Sequence, residues 1–176
     1  MRPDPAPSLD PAGEYLTRVW RDSVYPLAKQ LGITMRLPPI QPRSRRAHEA
    51  AKWAQTQKQF NSKELDTSNQ SDSSNQLDAY NAAVFRAFFE RGENIGNIDV
   101  LVKLARDLGL DDSSLRAALE TKQFEPSVIA DEKEATALGV HAVPAFIANR
   151  RFALSGVQSV SGLEELVNRA SALDRD

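Results

Sequence analysis

The sequence predicts a mostly helical protein closed by one C-terminal β-hairpin. Three observations lead there. Apolar residues recur at helical spacing in every patterned stretch up to residue 138. Gly, Asp, Ser and Pro stand where those stretches begin and end. A strand-like pattern occurs once, where "AFIA" and "RFAL" flank Asn149-Arg150.

The elements follow in chain order. Residues 2–11 hold four of the ten prolines and read as an extended lead-in, with Asp10-Pro11 as cap and first helical residue. Leu16, Val19, Trp20, Val24, Leu27 and Leu31 then mark a helix ending at Gly32, and Pro26 inside it should kink or split it. "RLPPIQPRSRR" is an irregular crossing, and a second helix covers about 43–60. Between residues 61 and 76 the single hydrophobic residue is Leu65, too little to offset ordering, so 61–77 is expected to be a disordered insertion.

Helical pattern returns in "LDAYNAAVFRAFFERG", where Tyr80, Val84, Phe85, Phe88 and Phe89 line one broad face. The insertion therefore interrupts a helical hairpin. "NIDVLVKLARDLG" and "DDSSLRAALETK" give two short antiparallel helices, the second opened by an Asp cap, and a further helix spans about 126–138. After the hairpin, Ser161 and Glu164 stand in the Ser-x-x-Glu arrangement of a capping box on a final helix.

Composition narrows the chemistry. A chain of 176 residues suits one domain, or one domain carrying an inserted lobe. Net charge −2 removes the attraction a nonspecific nucleic-acid binder relies on, so no nucleic-acid partner is expected. No apolar run approaches the length of a membrane span or signal peptide, so a cytoplasmic protein without a membrane partner is expected. There is no cysteine, hence no thiolate nucleophile and no disulfide. "HEAAK" at 48–52 lacks the second histidine of the zinc signature, so neither a metal nor another cofactor is expected. His48 and His141 read as surface residues, the Arg43, Arg45 and Arg46 cluster as a solvated helix end, and no phosphate-loop or serine-hydrolase motif occurs. No catalytic residue is assigned.

A resemblance adds what patterning cannot. "ALGVHAVPAFIANRRFALSGVQ" at 137–158, with "RSRRAHEAAKWAQ", "FRAFFERGENIGNIDVLVKLARDLGLD" and "LRAALE" upstream, resembles the DsbA-like thioredoxin family, most closely its FrnE-like branch. That implies an α/β thioredoxin-like fold of DsbA type with an inserted all-helical lobe. Residues 1–138 would be the lead-in and lobe, and residues 139–176 the C-terminal part of the thioredoxin-like domain. The family activity is thiol–disulfide exchange. Its members carry a cis proline whose preceding residue faces an extended peptide, and the matching substrate-binding positions here are Val143 and Pro144.

The chain departs from the family pattern at its start. Members place a strand, a C-x-x-C-type motif, a helix and a second strand ahead of the Pro-rich lead-in, where this sequence begins. The chain is therefore expected to be truncated or redox-inactive. Two alternatives accompany that reading. One is a non-catalytic module that binds a peptide or protein at the cis-Pro loop and homodimerises through an exposed sheet edge. The other is a glutathione-linked relative of the 2-hydroxychromene-2-carboxylate isomerases and kappa-class glutathione transferases.

Overall fold

The structure, a computed structural model, describes residues 13–57 and 72–172. Backbone contacts divide the chain into two compact units, Met1–Val128 and Ile129–Asp176.

The first unit opens with α1 (Glu14–Val19), a π-helical turn (Trp20–Val24) and α2 (Tyr25–Gln30). Pro26 does not break the helix. It has no N–H to give, and the turn before it widens so that the Tyr25 N–H reaches the Trp20 carbonyl, five residues back. The extra residue rotates everything downstream by about 100°. Ala28 therefore faces inward, and Leu27 and Leu31 of the expected apolar stripe lie exposed. The Asp10-Pro11 cap lies outside the described residues.

Helices α3 (Arg45–Thr56), α4 (Asp72–Phe89), α5 (Ile98–Asp107) and α6 (Asp112–Glu120) form the core of this unit. Of the stretch 61–77 expected to be unstructured, residues 61–71 lie outside the described residues, and 72–77 form the first turns of α4. The apolar helix that follows propagates backward into this stretch. α3 is shorter than expected, because Gln57 is already extended.

α6 carries the Asp cap expected, with Asp111 Oδ1 accepting from the Ser114 N–H at 3.0 Å, and α5 is capped by Asn97, whose Oδ1 accepts from the Asp99 N–H at 2.8 Å. Trp53, Tyr80, Leu101 and Leu115 are wholly enclosed. The Tyr80 hydroxyl donates to the Leu101 carbonyl at 3.0 Å, the Trp53 Nε1–H donates to Ser114 Oγ at 3.1 Å, and the two rings meet edge to face. Burial pushes the Tyr80 phenol above its ordinary range. On α4, Phe85 is exposed, its ring stacked on Phe89.

After α4 the chain turns at Gly92, which has φ +68°, and a Cβ there would lie 2.9 Å from Cδ of Pro39. Gly92→Ala should therefore destabilise this unit by about 1–3 kcal/mol, combining a strained left-handed residue with a clash against a rigid ring. Urea unfolding measures this, and an unchanged midpoint would refute it.

Glu49 on α3 is the charged side chain most enclosed in this unit, with 4% of its surface exposed. Burial raises its carboxyl, Glu125 raises it further, and Lys122, Arg46 and Arg45 oppose the rise. The folded state thus holds this proton more tightly than the unfolded chain. Its stability contribution is complete below the ordinary value of 4.5 and is lost as pH climbs through the raised value. Glu49→Gln should raise the thermal midpoint at neutral pH, and the gain should vanish below that ordinary value. A gain independent of pH would contradict it.

In the second unit, α7 (Glu125–Ala137) enters from the first and is closed by Gly139, with φ +78°. The Val140 N–H reaches the Ala135 carbonyl and the Gly139 N–H that of Thr136, both at 3.0 Å, a closure in which the left-handed residue favours glycine. Strands β1 (Ala145–Ala148) and β2 (Phe152–Ser155) pair antiparallel, with Phe146 opposite Leu154 and Ala148 opposite Phe152.

The turn is longer than the sequence suggested, because Arg151 joins Asn149 and Arg150 outside the strands. Asn149 and Arg150 both have positive φ, and the Arg151 N–H closes on the Ala148 carbonyl at 3.2 Å. Helix α8 (Val160–Ala172) buries Leu166 and Ala170, and the Arg169 guanidinium lies over the Phe152 ring. Its N-cap is Ser159, whose Oγ accepts from the Gly162 N–H at 3.1 Å. Ser161 lies two residues too late to be the cap.

Candidate peptide-binding loop

Residues 140–144 link the glycine closure of α7 to β1, and the Val143–Pro144 peptide bond is cis. The Pro144 carbonyl accepts from the Gly156 N–H at 2.8 Å, so the hairpin ladder runs one step beyond its assigned strands. That bond fixes the alternation. Residues 144, 146 and 148 turn their polar backbone groups toward β2, and Ala145 and Ile147 turn theirs to the opposite edge of β1. Among the described residues no strand pairs with that edge.

Side chains alternate as well. Phe146, Ala148, Phe152 and Leu154 share the face over which Arg169 of α8 lies. Ala145, Ile147, Ala153 and Ser155 share the other, where Ala153 and Ser155 are exposed.

Val143 itself is 80% exposed, and no hydrogen bond among the described residues engages its N–H or C=O. Carrying the register outward places Val157 opposite it, and Val157 and Val160 are also largely exposed. Among the described residues the loop therefore offers unused backbone groups, with an exposed valine opposite Val143. This combination suits an extended peptide, whose backbone pairs with an open edge and whose side chains meet apolar surface. It holds no cysteine.

Val143 and Pro144, the substrate-binding positions expected from the sequence, thus lie together at the start of β1. Val157 escaped sequence reasoning, although its signal was present: a valine in the polar loop beyond the second strand. His141 is exposed in the same loop.

The family model of the DSBA-like thioredoxin domain matches residues 17–168. The chain belongs to that family. Its helical unit and its hairpin with α8 therefore lie within a single family domain. A protein of Bacillus subtilis (strain 168), named "Uncharacterized protein YwbO", is 35% identical over 126 residues, 71% of this chain. The chain spans only 56% of that relative's length. Among the described residues no helix is long and apolar enough to cross a membrane.

Proposed function

We propose that this polypeptide is the substrate-holding part of a DsbA-family thiol–disulfide oxidoreductase of the FrnE-like branch, binding an extended peptide at the Val143–Pro144 loop and performing no thiol exchange with its own residues. The observation that carries the reading is Val143, largely exposed, with neither backbone group hydrogen-bonded and the adjoining edge of β1 unpaired among the described residues.

The chemistry divides accordingly. Exchange requires a thiolate to attack a disulfide sulfur and form a mixed disulfide. With no cysteine, this chain supplies neither attacking nor resolving sulfur. What remains is positioning: backbone groups set an extended segment in register, and Val143 and Val157 favour apolar side chains along it.

Fluorescence polarisation with a labelled, cysteine-free extended apolar peptide tests this. The peptide should bind saturably, and methylating alternate backbone nitrogens should weaken it by about tenfold or more, because strand addition uses those N–H groups. Reduced glutathione should not compete, and the chain should not accelerate insulin reduction by dithiothreitol. Equal binding of the methylated peptide, or displacement by glutathione, would overturn the proposal.

A further inference from the structure

We propose that, when no peptide is bound, the open edge of β1 is occupied by a second copy of this chain, paired antiparallel about a two-fold axis at Ala145. The chain is then a homodimer whose interface is its own peptide-binding edge, so peptide and second copy exclude each other. The inference rests on the reading of that edge as strand-accepting, and adds which strand takes it in the free protein.

The two edges of the hairpin differ. On the outer side of β2, the Ser155 carbonyl accepts from Gln158 Nε2 at 2.8 Å, so a side chain of the same chain covers the end of that edge. Gln158 Nε2 also donates at 3.2 Å to the Gly156 carbonyl, which the register sets opposite the nitrogen of Pro144. The donor that proline lacks is thus missing on the β2 side, and the outer edge of β1 keeps all of its own. There Val143, Ala145 and Ile147 present N–H and C=O groups with which no strand pairs among the described residues.

Edges that resist self-pairing carry a charge, a bulge or an outward-facing proline. Residues 140–149 hold no Asp, Glu, Lys or Arg, and β1 pairs residue for residue with β2 without a bulge. Nothing on this edge therefore repels a second copy of itself.

One register uses every open group. Centring the axis on Ala145 sets Val143 of each copy opposite Ile147 of the other and Ala145 opposite its own counterpart, and each pair exchanges both of its hydrogen bonds. A small side chain thus stands where the two copies meet most closely. The hairpin register extends the match into a row of Val157 and Val143 from one copy, then Ile147 and Ala153 from the other. Val143 and Val157, largely exposed in the single chain, are covered on their flanks. Antiparallel pairing also sends the two turns to opposite ends, so Arg150 and Arg151 of one copy stay clear of those of the other. The sheet grows from two strands to four, which relieves the marginal stability of a lone hairpin.

Sedimentation velocity of the full chain between about 1 μM and about 1 mM tests this. The chain should pass from monomer to dimer as its concentration rises, and a saturating cysteine-free extended apolar peptide should return it to monomer. Residue 145 meets its counterpart only if the axis lies there. Ala145→Lys and Ala145→Glu should each weaken association about tenfold or more through like-charge repulsion, and an equimolar mixture should restore it as a mixed dimer. Should circular dichroism show either variant unfolded, concentration-dependent amide shifts of the unmodified chain replace them. Val143, Ala145 and Ile147 are expected to move, and unmoved amides there would count against the dimer. A chain that stays monomeric yet binds the peptide overturns the dimer and leaves the peptide reading standing. Dimerisation without peptide binding supports the dimer and overturns the peptide reading instead. Association undiminished by a peptide that does bind, or a mixture no tighter than the single variants, overturns the proposal.

Discussion

Trp53→Ala is expected to lower the stability of the helical unit by about 3–5 kcal/mol, among the largest single-residue losses in the chain. Trp53 is 2% exposed, meets Tyr80 edge to face, and gives its ring N–H to Ser114. Truncation opens a cavity between α3, α4 and α6 and leaves the Ser114 hydroxyl without its donor. Trp53→Phe separates the two contributions: it keeps most of the apolar volume, loses the hydrogen bond, and should cost about 1–2 kcal/mol. Urea unfolding followed by circular dichroism reads both. A loss below about 1 kcal/mol for the alanine variant would mean that this core does not close around the indole.

Leu166→Ala should be comparably severe in the second unit, at about 2–5 kcal/mol. An isolated two-stranded hairpin is marginal in water, and β1 and β2 pair only with each other among the described residues. Their order therefore depends on the α8 face that buries Leu166 and Ala170. Hydrogen exchange should show the hairpin amides losing protection together, and peptide binding at Val143 should fall with them. Loss of protection in α8 alone, with the hairpin unaffected, would contradict this dependence.

Much of the fold was legible because local rules agree with tertiary ones here. Asp111 caps the helix it precedes, as expected, and Gly139 closes α7 where the sequence places its stop. The failures have local causes. The widened turn before Pro26 depends on backbone geometry that spacing does not encode, and it rotated Leu27 and Leu31 out of the expected face. Asp72 to Leu77 looked too polar to order, yet a helix propagates into residues that would not nucleate one. Two serines compete to cap α8, and the pattern favoured Ser161 because Glu164 follows it, whereas Ser159 makes the bond.

The candidate site divides in the same way. Val143 and Pro144 were placed by the family resemblance in 137–158, and composition alone would not have found them. The open β1 edge follows from the hairpin register, which a sequence does not print.

The measurement that bears most directly on the central claim is an amide-shift map of the labelled chain with an unlabelled, cysteine-free extended apolar peptide. Saturable shifts concentrated at residues 142–148, including Val143, Ala145 and Ile147, are the predicted result. Saturable binding with those amides unmoved, or no binding at all, would contradict it.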